Sequence, residues 1–369
     1  MALLKRVKLS GFRSIKDMDL ELRSLNVLIG ANGAGKSNLV AFFKMLNEMM
    51  GGRLQQFIST TGRAQSNLHF GSKVTPQIQA TLEFEAENGT DTYFMRLFYA
   101  AGDSLVFAEE TLSFLQVGRV GQPRQTSLGA GHQETRIGEE ASKEVAPAKV
   151  FRYLLNHCRF FHFHDTSPSA KVRQFGYLGD HHFLMPDAGN LAAMLFRWRV
   201  ENGASYERIV RTIRQVAPFF DDFVLQPEGP NRRDIILNWN HRGSESTFGP
   251  HQLSDGTLRA ICLIALLLQP EEELPNLIVV DEPELGLHPY ALNVIASLVQ
   301  EAACRTQVLI STQSSTLLDC FDPKDIIVVE RDGEGSKFSR PNGEALSNWL
   351  EDYSLGEVWE KNVIGGGPH

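Results

Sequence analysis

The sequence predicts an α/β fold with a mixed sheet core, an antiparallel β subdomain and a helical lobe. An apolar strand pattern at 25–29 runs directly into a glycine-rich segment, 30–37, and then into a helical pattern. Continuous apolar runs, which are typical of buried parallel strands, occur at 277–280, 308–310 and 326–329. Alternating patterns that favour an antiparallel hairpin occupy 77–85 and 92–99, on either side of Asn88-Gly89.

The composition bounds the class of protein. Of the 369 residues, 42% are hydrophobic and 22% are charged, as in ordinary globular proteins. The net charge of −8 argues against a mainly electrostatic nucleic-acid binder. The longest apolar run, 261–268, is too short to cross a bilayer, and the first residues lack the apolar stretch of a secretion signal. We therefore expect a cytoplasmic protein without a membrane partner.

The other elements are predicted in chain order. Strands are expected within 3–29, and a helix stops at Gly51-Gly52 before a polar loop that reaches residue 73. Residues 117–145 are rich in Gly, Gln, Ser and Glu, which favours a mobile insertion. A helix at 148–157, a strand at 159–164 and helices within 188–217 follow. We expect the chain to divide into lobe I, residues 1–165 plus 270–369, and a helical lobe II, residues 166–269.

The segment from Gly30 to Ser37 has the form G-x-x-x-x-G-K-S. Its glycines allow backbone N–H groups to surround a phosphate chain without Cβ clashes, and the helix that follows adds the positive end of its dipole. Lys36 would reach the β- and γ-phosphates, and the Ser37 hydroxyl would hold Mg²⁺. An ordinary glycine-rich turn is the plainer interpretation, but every fixed position is filled. The predicted nucleotide-binding residues are Asn32, Gly33, Ala34, Gly35, Lys36, Ser37 and Asn38.

Two further motifs carry chemistry. Asp281 and Glu282 directly follow an apolar strand, a costly arrangement unless the acids are used, and in-line attack on a γ-phosphate needs a group that orients the water. A simple turn after the strand is the alternative. The segment Leu-Ser-Asp-Gly-Thr at 253–257 precedes a helix that Ser254 can cap, and taken alone it is compatible with a cap and nothing more.

Together these motifs resemble the ABC-type ATPase heads of the SMC, RecF and OLD group, and more closely the compact RecF-like ATPases of prokaryotes. The resemblance covers most of the chain, and the order of its motifs is more specific than any single one. It implies a P-loop NTPase fold of the ABC head type, with ATP and Mg²⁺ as ligands. The segments that carry it are Gly11-Phe12-Arg13-Ser14, GANGAGKS, LSDGT, LIVVDEPELGLHP and STQSS.

The resemblance also implies roles for individual residues. Asp281 would belong to the Mg²⁺ shell, Glu282 would polarise the attacking water, and Arg13 would lie among the nucleotide-binding residues. Ser254 and Gly256 match the ABC signature, which in that family contacts the γ-phosphate bound to the other subunit. The expected working unit is therefore a homodimer with ATP held between two heads.

Three positions depart from the family pattern. Thr257 replaces the usual Gln or Glu of the signature, and His164 takes the place of the Q-loop glutamine. For His164, an ordinary histidine with satisfied hydrogen bonds is the simpler explanation. Gln313 stands where most ABC ATPases have the switch histidine; a glutamine can hydrogen bond to the γ-phosphate or the water but cannot carry a proton charge. Slow hydrolysis, suited to a nucleotide switch, is therefore expected.

The resemblance implies a role in DNA metabolism or antiphage defence. OLD proteins carry a TOPRIM-type nuclease after the head, whereas about 39 residues follow Glu330 here, so a separate nuclease or another effector chain is expected. An arginine row, Arg208, Arg211 and Arg214, is either a solvated helix face or a contact to DNA phosphates.

Two other functions share the nucleotide site. A transporter ATPase subunit is disfavoured by the early antiparallel strands and the missing Q-loop glutamine. An SMC-like tether is disfavoured because about 88 residues separate Asp165 from Ser254, which leaves no room for a long coiled coil.

Overall fold

The computed structural model describes residues 2–118, 121–341 and 343–367. Residues 1, 342, 368 and 369 of the predicted lobe I, and residues 119 and 120 of the predicted insertion, lie outside this part of the chain. Within the described ranges, every helix is too short or too polar to pass through a bilayer.

The chain alternates between strands and helices. The strands are β1 Leu3–Phe12, β2 Ile15–Glu21, β3 Leu25–Ile29, β4 Gln77–Ala86, β5 Gly89–Ala100, β6 Ser104–Gln116, β7 Arg124–Gly129, β8 Cys158–Phe161, β9 Gly176–Tyr177, β10 Phe220–Val224, β11 Asp234–Ile235, β12 Asn238–His241, β13 Thr247–Phe248, β14 Leu277–Asp281, β15 Gln307–Thr312, β16 Ile326–Asp332 and β17 Gly335–Ser339. The α-helices are α1 Lys36–Met50, α2 Leu54–Thr60, α3 Arg63–Asn67, α4 Ile137–Ser142, α5 Ala146–Asn156, α6 Leu191–Glu201, α7 Gly203–Val216, α8 Asp255–Leu268, α9 Pro289–Ala302, α10 Ser315–Leu318, α11 Gly343–Leu350 and α12 Leu355–Glu360.

A six-stranded antiparallel sheet forms the β subdomain, in the order β2-β1-β4-β5-β6-β7. The hairpin predicted around Asn88-Gly89 is present, with Ala86 paired to Gly89. Along β4, the alternating residues Ile78, Ala80, Leu82 and Phe84 are all buried, so one face of this sheet lies on the core.

A second six-stranded sheet has the order β17-β16-β3-β15-β14-β8. The strand β3 is parallel to both of its neighbours, because Ile29 pairs with Thr312 of β15 and with Val328 of β16. The phosphate loop follows β3 and Gln313 follows β15. Both therefore leave the sheet at the same edge, the carboxyl end of adjacent parallel strands, where α/β folds place their ligands.

The chain divides into two compact units. Unit 1 comprises Met1–Phe160, Pro275–Val279 and Gln307–His369, and unit 2 comprises Phe161–Leu274 and Val280–Thr306. This division differs from the predicted lobes at 161–165, 270–274 and 280–306, which the prediction places in lobe I and which belong to unit 2. For 280–306 the physical reason is packing within unit 2, since the apolar face of α9 lies against α7 and α8.

Helix α1 holds the phosphate loop on the core of unit 1. The helical pattern Leu39, Phe42, Phe43 and Leu46 is fully buried, as the sequence predicted. The Phe42 ring also makes an edge contact with Phe12 of β1 at a centroid distance of 6.0 Å. Burial of each such aromatic side chain is worth about 1.5–3 kcal/mol, so the start of α1 is firmly placed.

Residues 51–73 form two short helices, α2 and α3, and the prediction of a polar loop was wrong. Helix α2 buries Leu54, Phe57 and Ile58, and the backbone N–H groups of Leu54 and Gln55 donate to the Glu134 carboxylate at 2.8 and 2.9 Å. This carboxylate satisfies two N–H groups that a helix start leaves open. It comes from 80 residues away in sequence, which is why local composition failed here.

The segment predicted as a mobile insertion contains β7 and α4. It is bonded to the sheet through Glu110 of β6, whose side chain is completely buried. The Glu110 carboxylate accepts hydrogen bonds from Tyr93 Oη (2.8 Å), His132 Nε2 (2.9 Å), Thr135 Oγ1 (2.5 Å) and the Arg136 N–H (3.1 Å). Burial, and next the Glu110 charge, raise the pKa of Tyr93 well above its usual value, so its hydroxyl remains a donor.

We expect Glu110→Ala to lower the free energy of unfolding by about 3 kcal/mol or more, because it leaves buried donors without an acceptor. It should also expose 131–145 to proteolysis before the rest of unit 1. Glu109→Ala is the matched control, since the Glu109–Arg96 ion pair is solvent-exposed and should be worth less than about 1 kcal/mol. Denaturant unfolding and limited proteolysis measure both effects, and equal losses for the two variants would contradict the assignment.

Candidate functional site

The phosphate loop runs from Gly30 to the start of α1. Gly33 has φ 78° and Gly35 has φ 116°, values that L side chains rarely adopt. A Cβ on Gly33 would meet open space, whereas a Cβ on Gly35 would lie 1.9 Å from Ser336 Oγ. Position 35 therefore requires glycine for two reasons, its backbone conformation and its close neighbour.

Two serines support this loop, one in the turn between β1 and β2 and the other in β17. Ser336 of β17 is buried, and its hydroxyl donates to the Ala34 carbonyl oxygen at 2.6 Å. Its Oγ also lies 2.6 Å from Ser14 Oγ, and its N–H donates to the Ser14 carbonyl oxygen. Asn38 Nδ2 donates to the same Ser14 Oγ at 2.5 Å. Ser14 belongs to a motif recognised in the sequence, but no sequence signal marks Ser336.

Lys36, the cation of the motif, is only 4% exposed. Its ammonium group donates to the carbonyl oxygens of Gly30 (2.5 Å) and Ala31 (3.2 Å). Both acceptors are neutral. Phosphate oxygens would compete well for this ammonium group, because hydrogen bonds between ionised partners are roughly twice as strong as neutral ones.

A cavity of about 540 Å³ adjoins the first turn of α1. Two predicted nucleotide-binding residues, Arg13 and Asn38, lie on it together. Arg13 has φ 50°, and its Nε donates to Asn67 Oδ1 at 3.1 Å. Burial lowers the pKa of the Arg13 guanidinium from its usual value. The lining residues are Arg13, Ser14, Asn38, Thr61, Ser66, Leu68, His69, Phe70, Arg331 and Gly335.

In unit 2, the acidic pair stands at the end of a buried strand. Asp281 is the last residue of β14, and Glu282 follows with φ 43°, an uncommon value for a residue with a side chain. Such strain is characteristic of functional sites. His164 lies beside the pair, with its Nε2 donating to the Asp281 carbonyl oxygen at 3.0 Å and its ring 4.1 Å from that of His162.

The signature segment starts helix α8. Ser254 is the N-cap, and its hydroxyl oxygen accepts from the Thr257 N–H at 3.2 Å while the residue stays exposed. A Cβ on Gly256 would lie 2.2 Å from the Gly286 carbonyl oxygen. The glycine is therefore required by packing against the loop that follows Glu282, independently of any ligand.

Arg259 is a residue that sequence reasoning missed. Its guanidinium donates to the carbonyl oxygens of Leu285 (3.1 Å) and His164 (2.9 Å), and it lies 3.4 Å from Thr166 Oγ1. It joins the start of α8 to the two loops around the acidic pair. The sequence offered one signal for Arg259, a single arginine near the start of a largely apolar helix.

Most of the arginine row makes ion pairs within unit 2. Arg208 pairs with Glu301, and Arg214 pairs with Asp221 at 3.2 Å. Arg211 is exposed on a cavity of about 440 Å³ between α7 and α9. The internal pairs favour the simpler of the two interpretations, a solvated helix face.

The predicted site residues thus form two groups, one in each unit. The residues of unit 1 are Arg13, Asn32, Gly33, Ala34, Gly35, Lys36, Ser37, Asn38 and Gln313, and those of unit 2 are His164, Ser254, Gly256, Asp281 and Glu282. Among the described residues, no cluster of three or more His, Cys, Asp or Glu side chains is arranged to hold a metal ion. Mg²⁺ that binds with a nucleotide takes most of its ligands from phosphate and water, and the roles of Ser37 and Asp281 in such a shell stay predictions.

Two family models match the chain. One, described as "AAA ATPase domain", matches residues 3–95. The other, described as "AAA domain, putative AbiEii toxin, Type IV TA system", matches residues 165–319. A curated relative, the Old nuclease of Escherichia phage P2, is 24% identical over 370 residues. The match covers 90% of this chain and 60% of that relative, so the chain spans less than two thirds of the relative's length.

Solved SMC heads share the fold. The SmcHead bound to the C-winged helix domain of ScpA has a TM-score of 0.60 at 14% identity, covering 95% of this chain and 99% of that one. The Smc head with an extended coiled coil, bound to the C-terminal domain of ScpA from Pyrococcus furiosus, gives 0.59 at 14% identity with the same coverage. An Smc head with a coiled coil and joint from Pyrococcus yayanosii gives 0.56 at 13%, again with the same coverage.

This chain is similar to the ABC-type ATPases of the RecF, SMC and OLD group. The family resemblance and the fold class predicted from the sequence are both confirmed. The roles of individual residues in this ATPase head stay predictions, which the following variants test.

We expect Gly35→Ala to reduce nucleotide affinity of the ATPase head about 100-fold or to abolish it, because the new methyl group would overlap Ser336 in a strained backbone. Gly33→Ala is the matched control: its backbone is also left-handed, but the space is open, so a loss of about tenfold or less is expected. Calorimetric titration with ATP and Mg²⁺ measures both. A Gly35→Ala head that binds as tightly as the Gly33→Ala head would contradict the role of the close contact.

Proposed function

We propose that this head binds ATP with Mg²⁺, hydrolyses it slowly and acts as a nucleotide switch by forming a dimer around ATP. The observation that carries the proposal is the preformed phosphate loop, in which Lys36 is buried over the loop carbonyls and Gly35 is fixed by Ser336. A loop already shaped before phosphate arrives needs little reorganisation when ATP binds.

In this proposal Lys36 neutralises charge on the β- and γ-phosphates, while Ser37 and Asp281 contribute oxygen atoms to the Mg²⁺ shell. Glu282 orients the attacking water. Its backbone φ of 43° supports this role, because residues in such strained conformations cluster at active sites, where the surrounding structure holds them.

The second copy supplies the signature. Ser254 is exposed at the N-terminus of the 14-residue helix α8, where backbone N–H groups and the helix dipole favour an anion. Arg259 and Gly256 attach this helix start to the loops that flank Glu282. When ATP bound to one copy contacts the signature of the second copy, the contact would therefore be transmitted to the loops that flank Glu282 of the second copy.

Gln313 supports a switch more than a motor. It follows β15 at the same sheet edge as the phosphate loop, which supports a hydrogen bond from its amide to a γ-phosphate or a water. A glutamine side chain cannot become a cation, so it cannot stabilise the negative charge of the transition state as a protonated histidine would. Slow hydrolysis is therefore expected.

The pathway in the proposal is DNA metabolism or antiphage defence, with a separate TOPRIM-type nuclease or another effector chain as partner. The relative named a nuclease supports the pathway and the nuclease partner. The SMC heads that are bound to a partner protein support a separate effector chain. Direct DNA contact would depend mainly on Arg211, since Arg208 and Arg214 are already paired with carboxylates.

We expect Glu282→Gln to accumulate as an ATP-bound dimer, because the variant keeps the phosphate contacts and loses the group that orients water. Sedimentation velocity with and without ATP and Mg²⁺ measures it. The double variant Lys36→Ala, Glu282→Gln should stay monomeric in both conditions. A Glu282→Gln head that is monomeric at saturating ATP would refute the dimer mechanism.

A mixing experiment tests whether each site uses two copies. Lys36→Ala and Ser254→Arg heads should each lack turnover, and an equal mixture should recover turnover, up to about half of the wild-type rate, because each mixed dimer has one intact site of two. No recovery, with both variants folded, would contradict a site shared between copies.

We expect Gln313→His to raise the ATP turnover number about tenfold, because a histidine can carry positive charge next to the γ-phosphate. Gln313→Ala should lower turnover below that of the wild type while ATP affinity changes little. Steady-state phosphate release measures all three proteins. Wild-type turnover of tens per second without any partner would contradict the proposal of slow hydrolysis.

A further inference from the structure

Phe70 combines two unfavourable features on the wall of the 540 Å³ cavity. Its side chain is 60% exposed, and its backbone has φ 53°. A positive φ is a genuine outlier for a bulky residue, and strain of this kind persists only where the surrounding structure enforces it. An exposed large aromatic ring in such a position calls for a reason other than folding.

The surrounding structure does fix this position. His69, the residue before, donates its N–H to the Gly11 carbonyl oxygen at 3.0 Å and its Nδ1–H to the Arg13 carbonyl oxygen at 2.8 Å. Leu68 forms an isolated antiparallel bridge with Phe12. The buried His69 ring lies 4.4 Å from the Phe70 ring, so one side of Phe70 has a neighbour.

The same cavity adjoins the phosphate loop, since Ser14 on its wall has its Oγ 2.8 Å from where a Cβ on Gly35 would lie. Asn38, one residue after the predicted Mg²⁺ ligand Ser37, lines it together with Ser14 and Arg13. A nucleotide whose phosphates occupy the loop has a sugar and a base to place next to α1. The cavity wall also includes the Ser66 hydroxyl and the Arg331 side chain, which are suited to the polar edges of a sugar or base.

We propose that Phe70 is the surface on which the base of the bound nucleotide stacks. The inference rests on the proposed nucleotide-binding function and adds to it the residue that holds the base. Every base has a π face, so a single aromatic platform binds different bases with little readout of their edges. The larger purine ring covers more of Phe70 than a pyrimidine does, so the site favours purine nucleoside triphosphates.

The test compares Phe70→Ala, Phe70→Trp and Phe98→Ala in the full chain. Phe98 is the matched control, an aromatic residue of unit 1 that is 43% exposed on β5. ATP affinity should fall about ten- to a hundredfold in Phe70→Ala, the range for loss of one base–aromatic stack. It should be retained in Phe70→Trp and unchanged in Phe98→Ala. Inorganic triphosphate, which has no base, should bind equally to all four proteins.

Base preference supplies the second readout. The wild type should bind ATP and GTP several-fold more tightly than UTP and CTP, and this gap should close in Phe70→Ala. Unchanged ATP affinity in Phe70→Ala would overturn the inference, as would an equal loss for inorganic triphosphate, which would place the effect on the phosphate loop. If Lys36→Ala binds ATP like the wild type, the proposed function itself fails, an outcome separate from any result at Phe70.

Discussion

The close approach of β17 to the phosphate loop is the constraint on which the rest of the site depends. Ser336 occupies the space that a side chain at position 35 would need, and it bonds at the same time to Ala34 and Ser14. Since β17 pairs with β16 and β16 pairs with β3, the loop is held both by the strand before it and by a hairpin beside it. The shape of the phosphate loop therefore depends on neighbouring strands of the sheet as well as on the sequence of the loop.

A comparable contact organises unit 2. Gly256 at the start of α8 lies directly against Gly286, and Arg259 bonds across the loops on either side of Asp281. Two glycines that a sequence motif assigns to ligand binding, Gly35 and Gly256, are therefore also required by packing. A motif of this kind persists for structural and chemical reasons together, and a substitution at either glycine affects both.

Backbone strain occurs at three positions where chemistry is proposed. Arg13 and Phe70 line the cavity beside α1, Glu282 belongs to the acidic pair, and all three have positive φ. Other residues with positive φ lie outside these places: Arg63, Asp103, Glu144, Ala188, Arg232 and Asn362. Strained residues cost about 1–3 kcal/mol each, and their surroundings must hold them in place. Hydrogen bonds to the Arg13 and Asp281 backbone oxygens come from His69 and His164, two histidines that bond to main chain.

The sequence by itself determined the parts that depend on local pattern. The apolar runs of β3, β14, β15 and β16, the amphipathic face of α1 and the glycine spacing of the phosphate loop follow from periodicity and backbone freedom. The order of the motifs predicted the family resemblance. These features can be predicted without knowing which residues they contact in the folded protein.

Only the tertiary structure decided the features that depend on distant partners. Helix α2 forms where Glu134 supplies the acceptor for its first N–H groups, the segment after β6 is attached by the buried Glu110, and 280–306 pack within unit 2. No sequence motif marks Ser336, Arg259 or Phe70, because each was singled out by its surroundings in the folded chain. A contact between residues tens to hundreds of positions apart leaves no periodic trace in one sequence, and so these residues could not be predicted from it.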